Sequence, residues 1–413
     1  MPKLSDSMEE ATILRWLKAP GEPFARGDPL AEIETDKATV VYEAEGDGVI
    51  ASIIVPEGAT ARLGEAIATL EDEGARSASA PVPVASPATA SPSKQMDLRG
   101  AVREALDEAL AADDRVIFFG EDVAVAGGVF AVTPGLYEKY GPERVFDTPI
   151  SELALAGAAF GSAVTGLRPV VEIMFGDFLT LVMDSIVNQM SKYWFLTQGQ
   201  VSVPVVIRSV VGAGGRFGAI HSQMPLSWLT GVPGIKLVAP STPADAKALL
   251  RAAIDDDNPV LFFEHKLLYG MKGEVDGGEA QIGKAAVVRE GRDLTIVSAM
   301  KALHESLTAA DGLAQAGIDA EVVDLRTIRP FDAATILESV ARTNRIVVVE
   351  EGPLTGGWAG EVLAVTLEQG LGDLDDAWRI TTPDLPVPYS PPLEDAHLPN
   401  ADRIASEIRM RLG

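Results

Sequence analysis

The sequence predicts a multidomain protein in which a small all-β sandwich precedes two α/β domains with parallel sheets. Three observations predict this fold: an internal repeat near the N-terminus, a segment of few residue types after it, and alternating strand and helix patterns over the rest. We expect the β domain at 1–73, a flexible linker at 74–95, and α/β domains at 96–275 and 276–413. With 413 residues and 47% hydrophobic content, the chain can build a core in each domain.

The N-terminal repeat has a constant offset of 37 residues. Gly21, Gly27, Leu30, Ile33 and Glu34 recur as Gly58, Gly64, Ile67, Leu70 and Glu71. Two similar halves therefore build one small domain. Lys37 occurs in the first half only, and the runs on either side of it show the two-residue alternation of strands. We expect Lys37 at the tip of a hairpin, exposed to solvent.

The linker consists of Ala, Pro, Ser, Val and Thr alone from Ser77 to Ser93. This composition cannot build a core and favours extended conformers. At roughly 3 Å per residue, the linker spans on the order of 50 Å. A group attached to Lys37 would therefore visit distant sites at high effective concentration.

The region after the linker alternates between helix and strand patterns. Apolar residues at helical spacing run from Leu98 to Leu110, and a buried strand is expected at 115–120. Later in the chain we expect strands at 294–298, 320–325 and 346–350 and helices at 302–315 and 333–341. This order implies right-handed βαβ units and parallel sheets.

Composition excludes several classes of function. No cysteine is present, which excludes disulfides, thiolate metal sites and cysteine nucleophiles and agrees with a reducing cytoplasm. The four histidines are too scattered for a zinc site, and a net charge of −26 argues against nucleic-acid binding. The N-terminus lacks a signal-peptide pattern, and the longest charge-free stretch, 217–235, contains prolines and glycines. We therefore expect a soluble cytoplasmic protein with no nucleic-acid or membrane partner.

The segments MPKLSDSMEEATI, ETDKA and VPEGATARLGEAI resemble the lipoyl domain of 2-oxo-acid dehydrogenase complexes. In that family the hairpin lysine carries lipoic acid in amide linkage, so the resemblance implies lipoic acid on Lys37. Related biotin carriers place this lysine between methionines, whereas Asp36 and Ala38 flank it here. The alternative is a solvated turn lysine, as most lysines are.

The region from about Asp97 to the C-terminus resembles the β subunit of the thiamine-diphosphate-dependent first component of the same complexes. The motifs are FFGEDV (118–123), RVFDTPISE (144–152), GLRPVVEIMFGDF (166–178), MDSIVNQMSK (183–192), GAIHSQ (218–223), PGIKLVAPSTPADAK (233–247), DNPVLFFEHKLLY (257–269) and DLRTIRPFD (324–332). The resemblance implies a transketolase-like pyrimidine-binding domain followed by a transketolase C-terminal-like domain.

Thiamine chemistry requires a carboxylate that hydrogen-bonds the aminopyrimidine ring of the cofactor. The resemblance assigns this role to Glu152, which could alternatively be a helix-start glutamate with Ser151 as the N-cap. It also places Glu121 near the cofactor and Phe178 on the aminopyrimidine ring. The alternatives are a plain loop residue for Glu121 and a core side chain for Phe178.

His221 follows the glycine-rich run 212–218. Histidine can donate or accept a proton near neutral pH, which suits decarboxylation and acyl transfer, and the resemblance gives His221 an active-site role. The glycine run misses the dinucleotide spacing G-x-G-x-x-G by one residue, so we exclude direct nicotinamide binding.

The resemblance also implies a monovalent cation site, possible for potassium. Its residues would be Val205, Ala253, Ile254, Asp256 and Asn258. Asp256 and Asn258 could alternatively be turn formers before Pro259.

The thiamine superfamily holds magnesium and the diphosphate with Gly-Asp-Gly and a later asparagine. The only such triplet is Gly46-Asp47-Gly48, which we expect to be a strand turn, with no asparagine at the required spacing. We therefore expect magnesium and most diphosphate contacts to come from a separate α subunit, with the active site at the α/β interface. The helix expected at 154–163 is rich in small residues, which allows close packing in an interface or an ordinary core.

The leading hypothesis is the β subunit of a pyruvate-type 2-oxo-acid dehydrogenase with a fused lipoyl domain. The resemblance implies two α with two β subunits, and a dihydrolipoyl acyltransferase and a dihydrolipoyl dehydrogenase as further partners. An acetoin dehydrogenase β subunit is second, on EHKLLYGMKGEV and VNQMSK, and a branched-chain enzyme is third. A non-catalytic carrier and assembly subunit and a self-sufficient transketolase-like enzyme remain alternatives from other classes.

Overall fold

The computed structural model describes residues 10–18, 23–34, 39–44, 46, 48–62, 67–71, 94–275 and 280–413. The chain divides into two compact units, Met1–Ala90 and Ser91–Gly413, and each is described by itself. Lys37 lies outside the described residues, as do Asp47 and the linker from 77 to 93.

The described residues of the N-terminal unit form two antiparallel sheets. Its strands are β1 (Glu10–Trp16), β2 (Pro23–Phe24), β3 (Pro29–Glu34), β4 (Thr39–Glu43), β5 (Gly48–Ile53), β6 (Thr60–Arg62) and β7 (Ala68–Glu71). The sheet orders are β4-β3-β1-β6 and β2-β5-β7. Glu34 at the end of β3 pairs with Thr39 at the start of β4, so the two strands predicted around Lys37 are present and antiparallel.

The sequence repeat is visible in the strands. Strands β1, β2 and β3 correspond to β5, β6 and β7 at the same offset in the chain. Each sheet therefore combines strands of both halves, because β6 of the second half joins β4, β3 and β1, and β2 of the first half joins β5 and β7. Ile13 and Ile33 are fully buried in the first half and Ile50 in the second, so alternate residues of each strand form the core between the halves.

The first α/β domain contains six helices and eight strands. The helices are α1 (Leu98–Ala112), α2 (Leu136–Tyr140), α3 (Glu152–Val164), α4 (Ser191–Leu196), α5 (Leu226–Thr230) and α6 (Pro243–Asp255). The strands are β8 (Gln95–Asp97), β9 (Val116–Gly120), β10 (Val145–Asp147), β11 (Arg168–Ile173), β12 (Val206–Val211), β13 (Lys236–Val238), β14 (Val260–His265) and β15 (Lys272–Glu274).

The second α/β domain follows the same alternation. Its strands are β16 (Ala286–Arg289), β17 (Leu294–Ser298), β18 (Ala320–Asp324), β19 (Thr327–Arg329), β20 (Arg345–Pro353) and β21 (Asp376–Thr382). Its helices are α7 (Met300–Gln315), α8 (Ala333–Thr343), α9 (Trp358–Gly370), α10 (Pro391–His397) and α11 (Ala401–Leu412). The predicted strand at 294–298 and helix at 333–341 fall within β17 and α8.

The main sheet of the first α/β domain has the order β10-β9-β11-β12-β14-β13-β19. Its first six strands are mutually parallel, whereas β19 pairs with β13 in the antiparallel sense. Strand β19 comes from the second domain, so one sheet spans both domains. The second sheet has the order β16-β18-β17-β20-β21 and is parallel apart from β16.

Helix α1 shows why the predicted pattern forms a helix. Asp97 caps it, because its side chain accepts a hydrogen bond from the backbone N–H of Gly100 at 2.7 Å. The apolar residues at helical spacing, from Leu98 to Leu110, are all buried on one face.

Candidate active site

Four neighbouring strands of the main sheet end at the same edge. Strands β9, β11, β12 and β14 are parallel and adjacent in this order, so their carboxyl ends align. Strands lie about 4.8 Å apart, so the four ends span roughly 15 Å. The segments that follow carry Glu121, Phe178, His221 and Lys266. In open α/β sheets this edge is where ligands bind.

The structure brings Glu121 and Glu152 together. Glu121 follows β9 and is 8% exposed, and its Oε1 accepts a hydrogen bond from the backbone N–H of Ser151 at 3.2 Å. Glu152 is the next residue and the first of α3. Burial raises the pKa of Glu121 above its ordinary value, and the negative charge of Glu152 raises it further. Glu121 therefore holds the start of the helix that presents Glu152.

The carboxylate of Glu152 has no hydrogen bond or ion pair to any described residue, although the residue is partly buried. Ser151 makes no side-chain cap bond either, so the N-cap interaction of the alternative interpretation is absent there. A partly buried carboxylate without a protein partner fits a hydrogen-bond donor from a ligand. This arrangement is compatible with the aminopyrimidine ring of thiamine diphosphate.

His221 lies against two aromatic rings. Its imidazole centroid is 4.7 Å from that of Phe175 and 5.4 Å from that of Phe178, and both contacts are edge-to-face. The structure thus brings two predicted site residues, Phe178 and His221, into contact. The imidazole nitrogens have no hydrogen-bond partner among the described residues. They are therefore available for hydrogen bonds with a ligand.

Lys266 is a site residue that we did not predict. It follows β14, is 8% exposed, and donates a hydrogen bond from Nζ to the backbone carbonyl of His221 at 2.5 Å. Burial lowers its pKa to about 8 against the opposing charges of Asp177, Glu351 and Glu394. The sequence feature that could have identified Lys266 is its position directly after the buried strand Val260–His265, in the motif EHKLLY.

A buried ion-pair network supports this edge from inside the sheet. Arg208 in β12 is 1% exposed and binds Glu264 in β14 through Nε–Oε1 at 2.7 Å and Nη2–Oε2 at 2.9 Å. Its Nη1 donates to Glu172 in β11 at 2.8 Å, and Tyr269 donates to Glu264 at 2.9 Å. Because the guanidinium has partners on both sides, it joins three adjacent strands.

The expected cation site is only partly assembled. Arg168 Nη1 donates to the carbonyl oxygens of Ile254 and Asp256 at 3.0 Å each, and the carbonyl of Val205 accepts from Val260. Burial alone would raise the pKa of Asp256, but hydrogen bonds from Lys236 and Asn258 hold it below the ordinary value. Basic side chains of the chain thus already contact two of the expected ligands. These residues do not form a preformed coordination site for a cation, and a potassium ion here remains a prediction.

The described ranges contain neither a metal-binding cluster nor a membrane-spanning helix. Those ranges contain no cluster of three or more His, Cys, Asp or Glu residues arranged to bind a metal ion. None of their helices combines the length and apolar character that crossing a membrane requires.

Three parts of the chain match known protein families. Residues 94–272 match the family described as transketolase, pyrimidine binding domain, and residues 283–404 match the transketolase C-terminal domain. Residues 1–70 match the family described as biotin-requiring enzyme. A solved structure described as split gene transketolase, inactive beta4 tetramer, has a TM-score of 0.65 at 24% identity, covering 76% of this chain and 97% of its own. That likeness shows the fold alone.

Individual proteins are similar to this chain over most of its length. Pyruvate dehydrogenase E1 component subunit beta of Rhizobium meliloti is 38% identical and aligns with 99% of this chain and 98% of its own length. The β subunit of acetoin:2,6-dichlorophenolindophenol oxidoreductase of Cupriavidus necator is 44% identical over 76% of this chain and 97% of its own length. The 2-oxoisovalerate dehydrogenase subunit beta of Bacillus subtilis is 41% identical over 75% of this chain and 96% of its own length. The chain therefore belongs to the family of pyruvate dehydrogenase E1 component β subunits and their acetoin and 2-oxoisovalerate relatives, with a lipoyl-type domain at its N-terminus.

Proposed function

We propose that this chain is the β subunit of a pyruvate-type dehydrogenase that acts with a separate α subunit. Together they decarboxylate a 2-oxo acid with thiamine diphosphate and pass the acyl group to lipoic acid on Lys37. The observation that carries this proposal is the carboxylate of Glu152, which has no partner in the part of the chain that the structure describes and lies beside buried Glu121 at the carboxyl edge of the sheet.

The chemistry that thiamine diphosphate supplies when bound is an electron sink for decarboxylation. Glu152 would hold a proton against the aminopyrimidine ring, with Glu121 keeping the start of α3 in place through Ser151. Phe178 would pack on that ring. His221, oriented by Phe175 and Phe178, would give or take a proton at an imidazole nitrogen during decarboxylation and acyl transfer.

An α subunit would complete the site. The region from 96 to 413 contains no Gly-Asp-Gly sequence, so magnesium and the diphosphate need ligands from elsewhere. Apolar side chains also surround the candidate site: Ile150 is 85% exposed and Leu153 is 56% exposed, on either side of Glu152. Exposed apolar residues beside a polar site support coverage by a partner subunit. We propose an assembly of two α with two β subunits.

Two observations bear on the substrate. The Rhizobium meliloti pyruvate dehydrogenase subunit aligns with 99% of this chain, including the N-terminal domain, which favours pyruvate. Acetoin is the second candidate, because the Cupriavidus necator relative has the higher identity of 44% over the shorter region. In the pyruvate case a dihydrolipoyl acyltransferase would take the acetyl group from lipoyl-Lys37, and a dihydrolipoyl dehydrogenase would reoxidise the lipoyl group.

The test compares Glu152→Gln with Glu138→Gln after co-purification with an α subunit from the same organism. Glu138 is an exposed glutamate in α2 and serves as the matched control. Pyruvate, acetoin and branched-chain 2-oxo acids are assayed with an artificial electron acceptor, and mass spectrometry follows acylation of Lys37. We expect Glu152→Gln to lose about 10²- to 10⁴-fold in rate.

Three results would contradict parts of the proposal. Full activity of Glu152→Gln would favour a carrier and assembly role for the chain. Activity of the isolated chain with thiamine diphosphate and magnesium would favour a self-sufficient transketolase-like enzyme. Absence of lipoate from Lys37 would remove the acceptor role of the N-terminal domain and leave the catalytic proposal standing.

A further inference from the structure

The segment that carries His221 is bound by carboxylates from the second α/β domain. We call residues 212–223 the histidine loop. Its four glycines give it little conformational preference of its own. We propose that Glu394 and Glu351 are positioning residues that hold this loop, so that the second α/β domain sets the place of His221 in the active site. This inference rests on the proposed function, because the role of His221 is itself part of it.

Glu394 makes the most extensive contacts with the loop. It lies in α10, and its side chain is fully buried. Its carboxylate accepts hydrogen bonds from the backbone N–H of Gly214 at 2.8 Å and of Arg216 at 3.2 Å, and from Arg216 Nη1 at 2.6 Å. Arg216 has a φ of +63°, which a residue with a side chain adopts only where contacts hold it. One buried carboxylate thus fixes the turn of the loop.

Glu351 binds the N-terminal end of the histidine loop. It lies in β20, and its Oε1 accepts a hydrogen bond from the backbone N–H of Ala213 at 2.6 Å. Its Oε2 contacts Nε2 of His265 at 2.9 Å. Glu351 therefore links the end of β14 to the start of the histidine loop.

Lys266 binds the other end of the loop from the main sheet. Its Nζ donates to the carbonyl of His221 and lies 5.5 and 5.2 Å from the ring centroids of Phe175 and Phe217. Within the described part of the chain it forms no ion pair with a carboxylate. The loop is thus held between carboxylates of the second domain and a lysine of the first.

These contacts give the second domain a role in the reaction, although none of the catalytic residues proposed above belongs to it. A shift of α10 or β20 against the main sheet would move the backbone amides of Gly214, Arg216 and Ala213. Because a glycine-rich loop has little conformational rigidity of its own, His221 would lose its fixed position against Phe175 and Phe178. Small misplacements of a catalytic group have large effects on rate.

The experiment uses the full chain with Glu394→Ala, the milder Glu394→Gln, and Glu368→Ala as the control. Glu368 is an exposed glutamate in α9 of the same domain. Hydrogen exchange measured by mass spectrometry reports the opening of peptides that cover 212–223. We expect exchange to rise about tenfold in Glu394→Ala, which corresponds to about 1.4 kcal/mol, and less in Glu394→Gln. With the α subunit, kcat for acyl transfer to lipoate should fall by a similar factor, with KM for the 2-oxo acid nearly unchanged.

Unchanged exchange in the histidine loop of both Glu394 variants would overturn the proposal. Faster exchange with kcat equal to that of Glu368→Ala would also overturn it, since the loop would then be held for stability alone. If Glu394→Ala does not fold, Glu394→Gln decides the result, because its remaining oxygen keeps one acceptor for the loop amides. The variant His221→Ala separates the two proposals: if its kcat equals that of the wild type, the role of His221 fails, whereas the exchange data still decide whether Glu394 holds the loop.

Discussion

Gly212→Ala should destabilise the protein far more than Gly135→Ala, although the two glycines have nearly the same backbone conformation. Their φ angles are +93° and +87°, so both substitutions place a side chain in a region that L residues rarely adopt. No atom lies within 4 Å of a Cβ built at Gly135. A Cβ at Gly212 would lie 2.7 Å from Cε1 of His265 and closer still to Nε2 and Cδ2.

The magnitude follows from the two contributions. The left-handed conformation costs roughly 1–2 kcal/mol in either variant. At Gly212 the imidazole of His265 must also move, which breaks its contact with Glu351 and the hydrogen bond that Nδ1 accepts from Leu267. A hydrogen bond to a charged group contributes about 1.5–3 kcal/mol. We therefore expect Gly212→Ala to cost about 3–5 kcal/mol in the free energy of unfolding, against about 1–2 kcal/mol for Gly135→Ala.

The assay is thermal unfolding of both variants and the wild type, with the midpoint read from the transition of the larger unit. At about 2 °C per kcal/mol, the midpoint should fall by roughly 6–10 °C for Gly212→Ala and 2–4 °C for Gly135→Ala. Gly212→Ala should also lose activity, because Gly212 begins the histidine loop. Equal midpoints for the two variants would refute the reasoning, since they would show that the His265 contact adds no cost.

Three further predictions concern charge. Burial raises the pKa of Glu350 from 4.5 to about 7. Between these two values the folded state retains a proton that the unfolded state has released. The stability that this group contributes is therefore lost as pH rises from about 4.5 to 7. The stability of Glu350→Gln relative to wild type should rise by about 3 kcal/mol between pH 4 and pH 8 in urea titrations, and a constant difference would contradict the assignment. Arg208→Met should cost about 3–5 kcal/mol, because it leaves the buried carboxylates of Glu172 and Glu264 unpaired; a cost below about 1 kcal/mol would show that the network adds little. If the segment 253–258, at the end of α6, binds potassium, the unfolding midpoint should be higher in KCl than in NaCl at equal ionic strength, and identical midpoints would exclude the site.

Periodic patterns predicted the secondary structure well, because they depend on local burial. The apolar spacing from Leu98 to Leu110 corresponds to the buried face of α1, and the expected strand at 294–298 is β17. The N-terminal repeat predicted strands that recur at the same offset in both halves. The predicted ends of strands were less accurate. Strand β20 continues to Pro353, three residues beyond the end of the expected strand, because irregular pairing with β21 extends it.

The candidate site was only partly predictable. Glu121, Glu152, Phe178 and His221 were found because they lie in short motifs, and their roles remain proposals. Lys266, Glu351 and Glu394 were missed, since each acts on backbone groups of the histidine loop, and such contacts leave no local pattern. Glu394 is 180 residues from Gly214 in the chain, yet the two are hydrogen-bonded.

The amino-acid sequence was sufficient for the domain order, the repeat, the parallel α/β architecture and the family, since composition, periodicity and short motifs are local properties of the chain. Three features required the folded protein: the pairing of Glu121 with the start of α3, the place of Lys266 beneath His221, and the binding of the histidine loop by the second α/β domain. They arise where packing of the two sheets brings distant segments together and buries their charges. Burial then determines which carboxylates have partners, and among the described residues Glu152 has none.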